Sequence, residues 1–524
     1  MVLTLIGITI GCSKKSYSVR SPKSVVQLNP LDGIYYSLFV RSFADSNGDG
    51  IGDFNGITEN LDYLSDLGIS GLWLLPIYPS HSYHGYDVDD YYNVNQEYGT
   101  MADFERLLAG CAEHGICVML DITFNHSSSN NQWFIDSKNP ADPHRSWYHW
   151  ISENEGYSLN TQVWGHRLWN KVGNGYYAGE FQDGMPDFNL DSPELRAELK
   201  NVLAFWLDKG VSGFRFDAAG HIYDKIKMPV GFDRSTEASA DFWKDIISFI
   251  KSKKSDSFNV AEVWDTTSIR AQALAGLDSV FHFDIGDNYI LNMIKNKSAG
   301  NNNLAHIFEN DFAAYRKYNP DFIDAPFLTN HDQARIAGNL KGSLPELKLA
   351  AGMYLLTQGI PFVYYGEELG MMSGTKDETK RTPFLWTAMD SKKLPAKQTS
   401  WAAAADCIYN KKTPGLDQQT KNKNSLYNYY KRLINFRNEC PAFGQNSVFA
   451  SWDSGNEAIA SWVMTNTTAG ARALVLHNVS DKEVSLQLPE EFTAAGQPAF
   501  STTPVKAKDG TITIPPLTTV VYTK

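Results

Sequence analysis

Three carboxylates stand at the ends of predicted strands, and an arginine comes shortly before one of them. Asp217 ends the run "GFRFD", Glu262 lies in "AEVW", and Asp332 ends "TNHD". Arg215 is two residues before Asp217, so both side chains point to the same face of a strand. A carboxylate that attacks an anomeric carbon and a second one that donates a proton are what glycoside hydrolysis requires. The spacing therefore favours this chemistry.

The two carboxylates need opposite protonation states. A neighbouring cation lowers a carboxyl pKa by about 1 to 3 units, so we expect Arg215 to keep Asp217 ionised as a nucleophile. Glu262 is followed by Val263 and Trp264 and should lie close to two anions. Its pKa is therefore expected to be raised, which would keep it protonated as the general acid.

Each of these residues alone has an ordinary structural explanation. An aspartate at the end of a strand often caps the next helix, and a single buried histidine is usually a satisfied core residue. Several strand ends that carry acids or imidazoles together favour a shared site instead. The third strand adds Asp121, Asn125 and His126 in "DITFNH", and the seventh adds His331.

Eight short apolar runs, each a candidate strand, alternate with helical patterns between about residues 31 and 435. They are "GIYYSLF", "ISGLWLLP", "ICVMLDIT", "VSGFRFD", "FNVAEVW", "SVFHFD", "APFLTNHD" and "IPFVYYGEE". Apolar strands separated by helices indicate a parallel sheet covered on both faces, and eight units predict an α/β fold of the (β/α)8 TIM barrel type. A doubly wound open sheet is the alternative, but no glycine-rich phosphate loop follows the first strand.

Two regions depart from this alternation. Residues 127–190, between the third and fourth strands, are rich in Trp, Tyr, Asn, Gly and His and predict a small inserted domain on the C-terminal rim. Residues 439–524 consist of short alternating runs separated by turn residues, which predicts a C-terminal antiparallel β-sandwich. The barrel would then comprise residues 31–126 and 191–438.

Charge and composition favour a neutral partner. The formal net charge is -12 and no long Lys/Arg run is present, which argues against binding of nucleic acid or an anionic membrane. Aromatic residues make up 13% of the chain, which suits stacking on sugar rings. We expect a monomer.

The motifs "DITFNH", "GFRFDAAGH", "EVW" and "FLTNHD" resemble, in order and spacing, the four signature regions of glycoside hydrolase family thirteen, the α-amylase family. The segments "GISGLWLLP", "MPDFN" and "GIPFVYYGEE" extend the resemblance from about residue 31 through nearly the whole chain. It implies that Asp217 is the nucleophile, Glu262 the general acid/base and Asp332 the stabiliser of the transition state. Retention of configuration follows, with the two working carboxyls about 5 to 5.5 Å apart. The substrate-binding residues would be Tyr86, His84, His126, Arg215, His221 and His331.

Three segments bear on which member of the family the chain resembles. In "SYHGYD", Tyr83 and His84 stand where exo-glucosidases typically have an aspartate that grips the non-reducing end. Ala218 and His221 after the nucleophile also resemble α-amylases. The segments "MPDFNLD" and "EELGMMSGTKDETKRTPFLW" instead resemble the group between oligo-1,6-glucosidases and neopullulanases.

These features predict an endo-acting α-amylase on starch, glycogen and maltooligosaccharides. The alternatives are an exo-acting α-glucosidase, an oligo-1,6-glucosidase or a neopullulanase-like hydrolase. A catalytically inactive glucan-binding protein is disfavoured by the complete set of acids.

The segment "DSNGDGIGD" predicts a structural Ca²⁺, and the same loop occurs in this branch of the family. A solvated turn rich in Asp and Asn is the alternative, and Gly56 at the twelfth position excludes a true EF-hand. The ligands would be Asp45, Asn47, Asp49, the carbonyl of Ile51, and Asp53. The resemblance to α-amylases also implies a second Ca²⁺ between the barrel and the inserted domain, held by Asn125, Asp187 and the backbone carbonyl of His221, although related glucosidases keep the aspartate without a metal.

The first twelve residues, "MVLTLIGITIGC", form a short apolar run followed by a polar segment. About ten apolar positions are too few to span a bilayer, so the run indicates a signal peptide. Cys12 after Gly11 resembles the bacterial lipoprotein box, in which the cysteine carries a lipid anchor. An ordinary secretory signal or a misassigned start site is the alternative. Residues 1–30 would be signal and tether of an extracytoplasmic protein, at the cell surface or outer membrane, or otherwise secreted or periplasmic.

Overall fold

The structure is a computed structural model that describes residues 28–153, 155, 157–228, 235–493 and 496–524. Cys12 and the predicted signal segment therefore lie outside the described residues. No helix within the described part of the chain is long and apolar enough to cross a membrane.

Eight parallel strands form one closed sheet, so the predicted TIM barrel is confirmed. Counted along the chain, the strands lie in the order 7-6-5-4-3-2-1-8. The eighth strand pairs with the first, Phe362 opposite Tyr35, and a parallel bridge between Phe327 and Phe362 closes the ring. The strands are Tyr35–Leu38, Gly71–Leu74, Cys117–Thr123, Gly213–Asp217, Val260–Ala261, Ser279–Phe281, Ile323–Ala325 and Phe362–Tyr364.

Helices cover the outside of the barrel, and local capping explains where several of them begin. Thr100 and Asp103 form a capping box, and Ser192 accepts a hydrogen bond from the amide of Leu195. The longer helices are Leu61–Leu67, Met101–Glu113, Pro193–Asp208, Ser235–Lys253, Thr267–Ala273, Asn303–Arg316, Leu344–Leu355 and Leu426–Glu439. Short helices at Val40–Phe43, Phe54–Thr58, Leu291–Asn296, Ile336–Asn339, Asp377–Lys380, Ala404–Cys407 and Leu416–Gln419 lie in the connections.

The seventh strand is shorter and earlier than the sequence predicted. The prediction placed it at residues 325–332, whereas it ends at Ala325. Pro326 follows and has no N–H to donate to the ladder, although its carbonyl still accepts from the amide of Phe362 at 2.9 Å. The chain beyond it is therefore free to turn towards the mouth of the barrel and carries His331 and Asp332 there.

The segment after the third barrel strand folds as a small β-rich unit. Its core is formed by Ile151, Leu168, Trp169 and Ala178. A bridge between His126 and Asp187 ties both ends of the segment to the barrel. Its elements are the helix Gln132–Ser137, the sheet of Trp150–Ile151, Trp169–Val172 and Gly175–Ala178, and the hairpin of Gln162–Val163 and His166–Arg167.

The C-terminal region consists of two antiparallel sheets that pack against each other, as predicted. Trp462 is fully buried and donates from its indole to the carbonyl of Leu356 at 2.8 Å, which fixes this region on the barrel. One sheet contains Val448–Ser451, Ile459–Asn466, Ala471–Asn478, Thr518–Thr523 and Phe500–Ser501. The other contains Val484–Gln487, Thr511–Ile514 and Lys506–Lys508, and the short helix Glu490–Thr493 lies beside it.

Candidate active site

A cavity of about 640 Å³ opens at the C-terminal ends of the barrel strands. It contains all three carboxylates that the sequence singled out, Asp217, Glu262 and Asp332. Its other lining residues are His84, Tyr86, His126, Trp164, Phe181, Gln182, Met185, Ala218, His221, Trp264, Asp377 and Arg381. The ends of six different strands, with the loops that follow them, therefore bring their acidic and imidazole groups into one place.

Arg215 joins three carboxylates beneath this cavity. Its side chain is fully buried, and its Nη1 donates to Asp217 Oδ1 at 2.6 Å and to Asp121 Oδ1 at 2.8 Å. Its Nη2 donates to Glu262 Oε2 at 2.8 Å. The sequence had placed Asp121 at a strand end without giving it a role. One guanidinium therefore fixes the predicted nucleophile and the predicted acid relative to each other.

The protonation states differ in part from the expectation. Burial raises the pKa of Asp217 to about 6, and the charge of Arg215 only partly offsets this effect. Arg215 lowers the pKa of Asp217, as expected, but desolvation outweighs the ion pair, so the net shift of this pKa is upwards. Burial also raises the pKa of Glu262, as predicted. Arg215 lowers this pKa, whereas the negative charges of Asp217 and Asp332 raise it further. Asp217 is thus ionised above about pH 6.

Ala218 positions the acid through its backbone. Its φ is 47°, in the left-handed region that non-glycine residues rarely adopt. In this conformation its N–H donates to Glu262 Oε2 at 2.9 Å, the oxygen that also accepts from Arg215. Because Oε2 already has two donors, Oε1 is the oxygen of Glu262 that can carry a proton.

Asp332 has cationic and imidazole contacts of its own. Arg381 Nη2 donates to Asp332 Oδ1 at 2.9 Å, and His331 Nε2 lies 3.1 Å from Oδ2. Burial would raise the pKa of Asp332, but these contacts outweigh it and hold the pKa well below its usual range. Arg381 was not predicted from the sequence, although it lies in "TKRTP", part of a segment that resembles the family.

Tyr86 provides a flat surface in the cavity. Its ring is stacked on His331, with centroids 5.4 Å apart and planes 8° apart. Its hydroxyl donates to Asp121 Oδ2 at 2.9 Å and contacts His331 Nε2 at 2.6 Å. His126 Nε2 lies 3.2 Å from the Tyr86 carbonyl, and burial lowers the pKa of His126 to about 3, so that it is neutral. His84 Nδ1 contacts the amide of Tyr86 at 3.2 Å.

Two tryptophans at the cavity rim were not predicted from the sequence to bind substrate. Trp164 is 62% exposed and Trp264 is 50% exposed. Trp164, with φ 46°, and Gly165, with φ 90°, form the two-residue turn of a hairpin. Trp264 is stacked on Phe283 at 4.9 Å. The available signals were the adjacency of Trp264 to Glu262 and the Trp-Gly pair in "QVWGHR".

The predicted second calcium site holds a lysine instead. Lys227 is buried, and its Nζ lies 2.7 Å from Asn125 Oδ1, 3.1 Å from Glu180 Oε2 and 3.7 Å from Asp187 Oδ2. The carbonyl of His221 accepts a hydrogen bond from the chain at Asp224 N, 3.1 Å away. The prediction of a Ca²⁺ on Asn125, Asp187 and the His221 carbonyl is therefore corrected, because the ammonium supplies the positive charge.

His221 belongs to the same group of charges. Its Nδ1 lies 2.8 Å from Glu180 Oε1 and 3.5 Å from Asp224 Oδ2. Burial would lower the pKa of His221, but Asp224 and Glu180 outweigh it and raise the pKa to about 10. Among the described residues these three also lie close enough to share a metal ion, with ligand atoms within 4.8 Å of one another. The proton on His221 opposes such binding.

The loop from Asp45 to Asp53 is organised by its own side chains. Asp45 Oδ1 accepts from the amide of Asn47 at 3.0 Å, Asp49 Oδ1 from Ile51 at 2.8 Å, and Asp53 Oδ2 from Ser46 at 2.8 Å. Within the described part of the chain, none of the three aspartates pairs with a cationic side chain. Carboxylate, amide and carbonyl oxygens at alternate positions fit a hard cation such as Ca²⁺.

Comparison with known proteins agrees with this architecture. The sequence-family model of the α-amylase catalytic domain matches residues 37–446. The family model of the α-amylase SusG C-terminal domain matches residues 459–521. "Alpha-amylase 3" of Dictyoglomus thermophilum is 41% identical over 80% of this chain and 79% of its own. A 4-alpha-glucanotransferase of Thermotoga neapolitana is 31% identical over 78% of this chain and 87% of its own. The crystal structure of an α-amylase from H. orenii superposes with a TM-score of 0.82 at 34% identity, over 94% of this chain and 99% of that one. The chain therefore belongs to the α-amylase family of glycoside hydrolases, family thirteen.

Proposed function

We propose that this protein is a retaining, endo-acting α-amylase that hydrolyses α-1,4-glucosidic bonds in starch, glycogen and maltooligosaccharides. The observation that carries the proposal is the guanidinium of Arg215, which holds Asp217 and Glu262 together beneath a cavity with aromatic walls. Two carboxyls fixed in this way suit the two-step chemistry of a retaining glycosidase.

In the first step Asp217 attacks the anomeric carbon of the sugar that lies against Tyr86. Glu262 gives its proton to the glycosidic oxygen, the carbon–oxygen bond breaks, and a covalent glycosyl-enzyme forms. Asp332 is anionic because its pKa is held low, so it offsets the positive charge that develops on the sugar ring.

In the second step Glu262 acts as a base. It takes a proton from a water molecule, whose oxygen attacks the anomeric carbon and displaces Asp217. The product has the α configuration of the substrate, since two inversions have occurred. Glu262 is left protonated and ready for the next cycle.

Endo action is supported by the residues around the cavity. Tyr83 and His84 stand where an aspartate that grips a chain end is expected in exo-glucosidases. Trp164 and Trp264 present exposed ring faces at the rim, where successive sugar residues of a longer chain can stack. An oligo-1,6-glucosidase, a neopullulanase-like hydrolase and a glucan transferase remain the competing activities.

Two substrates distinguish an endo-amylase from an exo-glucosidase and from a binding protein, and further products or substrates identify the other activities. Incubation with end-blocked maltoheptaoside and, separately, with maltose should give cleavage of the first only. An exo-glucosidase would cleave maltose only, and a binding protein neither. A transferase would form products longer than the oligosaccharide supplied, and pullulan or isomaltose would reveal cleavage of α-1,6 bonds.

The nucleophile has its own test. In Asp217→Asn we expect less than a hundredth of the wild-type turnover on maltoheptaose, with binding of maltoheptaose retained. Asp183→Asn, at an exposed position outside the network of Arg215, is the matched control and should keep full activity. Turnover above that level in Asp217→Asn would exclude the assignment.

We propose further that the protein acts outside the cytoplasm and that Cys12 carries a lipid anchor. The support is the apolar run that ends at Gly11 and Cys12 and the polar segment after it. In the full chain, Cys12→Ser should move the protein from the membrane fraction to the soluble fraction. An unchanged distribution would contradict the anchor.

A further inference from the structure

Tyr83 lies behind the wall of the catalytic cavity. The residues that line the cavity include its neighbour His84 but not Tyr83 itself. The Tyr83 ring is stacked on Trp401, with centroids 5.4 Å apart and planes 26° apart, and Phe39 packs against it edge-on at 6.4 Å. Because two aromatic neighbours fix the ring, its hydroxyl is held in one direction.

Tyr83 contacts both members of an ion pair. Its hydroxyl donates to Asp377 Oδ2, and Arg381 Nη1 lies 3.0 Å from the same oxygen. Arg381 Cζ also lies 5.7 Å from the centre of the Tyr83 ring. A guanidinium within about 6 Å of a tyrosine ring is attracted to it. The hydroxyl of Tyr83 therefore fixes the acid, while its ring stabilises the cation.

Arg381 connects this pair to Asp332. Its Nη2 donates to Asp332 Oδ1 at 2.9 Å, and its Nε donates to the carbonyl of His331 at 3.3 Å. A guanidinium is planar and its donors have a fixed geometry. When Nη1 lies at Asp377 and Nε at the His331 carbonyl, the position of Nη2 at Asp332 follows.

Asp377 is arranged to hold cations. It lines the catalytic cavity and its side chain is 43% exposed, so direct binding of a sugar hydroxyl is the alternative role. Its second oxygen, Oδ1, lies 3.8 Å from Lys380 Nζ, which donates to the carbonyl of Asp332 at 2.8 Å. Both cations beside Asp377 thus contact Asp332, which favours a role in placing that residue.

We propose that Tyr83 is a positioning residue for Asp332. Tyr83 fixes Asp377, Asp377 fixes Arg381, and Arg381 holds the Asp332 carboxylate where positive charge develops on the sugar ring. A misplaced carboxylate stabilises the transition state less but leaves the binding of the substrate unchanged. The role of Asp332 in this inference rests on the proposed function.

The first test removes the hydroxyl of Tyr83 and keeps its ring. In Tyr83→Phe we expect kcat on maltoheptaose to fall on the order of tenfold. The Kd of maltoheptaose, titrated calorimetrically in Asp217→Asn with and without Tyr83→Phe, should agree within about twofold.

Tyr92→Phe is the matched control. The Tyr92 hydroxyl also donates to a carboxylate, Glu198 Oε1 at 2.7 Å, and both tyrosines are half-buried. This variant should keep the wild-type kcat. Equal melting temperatures of the two variants show that Tyr83→Phe is folded.

A double-mutant cycle tests the route through Asp377. Asp377→Ala removes the acceptor of the Tyr83 hydroxyl, so adding Tyr83→Phe to it should lower kcat by less than about twofold further. The proposal is overturned if the two losses multiply, if Tyr83→Phe keeps the wild-type kcat, or if it weakens the binding of maltoheptaose instead.

The same comparison separates this inference from the proposed function. A wild-type protein that cleaves maltose but not end-blocked maltoheptaoside would refute endo action. The ratios of kcat would then be measured on maltose, and the same outcomes would decide the role of Tyr83.

Discussion

Two oxygen-rich clusters in this molecule, both containing residues that were predicted to bind calcium, differ in where their positive charge comes from. The loop Asp45–Asp53 brings its oxygens together within nine residues of sequence and pairs with no cationic side chain in the described chain. The cluster of Asn125, Glu180 and Asp187 surrounds the ammonium of Lys227. A cluster of oxygens thus indicates that a positive charge is needed, and only the three-dimensional structure shows whether the chain supplies it.

The largest expected loss of stability comes from removing the buried ammonium group of Lys227. Lys227→Met removes the cation beside the buried Asp187 and leaves Glu180 with His221 alone, which costs about 3 to 5 kcal/mol of unfolding free energy. Urea unfolding measures the loss. Lys225→Met, at an exposed position two residues earlier, is the control and should change stability by less than about 0.5 kcal/mol.

Lys227→Met also tests whether the cluster around Lys227 can bind Ca²⁺, as predicted for the loop Asp45–Asp53. If added Ca²⁺ restores the stability of Lys227→Met, the oxygens of this cluster can hold either kind of cation. Equal stability of the Lys227 and Lys225 variants would show that the ammonium does not stabilise the cluster.

An intermediate loss of stability is expected when EDTA removes the Ca²⁺ that is predicted for the loop Asp45–Asp53. A ligand at about a hundredfold excess over its Kd stabilises the folded state by about 2.7 kcal/mol, so EDTA should lower the melting temperature. Asp49→Ala should melt lower without EDTA and should not respond to it. The exposed Asp390→Ala should behave as the wild type. A wild-type protein indifferent to EDTA would leave the loop as a self-bonded turn.

The smallest expected change in stability comes from Glu367, a buried glutamate that is neutral because it is protonated. Glu367 Oε1 accepts from the hydroxyls of Tyr354 and Tyr430, both at 2.8 Å, and burial raises its pKa to about 8. A raised pKa means that its contribution to stability is complete at low pH and is lost as the pH rises towards 8.

Glu367→Gln keeps the acceptor and removes the titration. Between pH 7 and pH 8 the variant should therefore gain on the order of 1 kcal/mol relative to the wild type. The measurement is urea unfolding at both pH values, with Glu439→Gln, at an exposed helix end, as the control. If the free energy of unfolding changes equally between pH 7 and pH 8 in Glu367→Gln and in the wild type, Glu367 does not titrate with a raised pKa.

The parts of the site that could be predicted are those carried by short segments. The strand that ends at Asp217 and the placement of Glu262 followed from local apolar runs and the geometry of a barrel. Lys227 could not be predicted, because nothing in its own segment indicates that it meets Asn125 and Asp187. The net upward shift of the pKa of Asp217 could not be predicted either, since burial depends on the whole fold whereas the neighbouring Arg215 is visible in the sequence.

The contacts of Arg215 have a consequence for how this site can change. Asp121, Asp217 and Glu262 share one guanidinium, so a substitution at any of them alters the charge balance felt by the other two. Energetic effects within such a group are not additive. A substitution that removes the Glu262 carboxylate therefore also changes the pKa of Asp217. The protonation of the nucleophile and that of the acid therefore cannot be changed independently by substitution within this group.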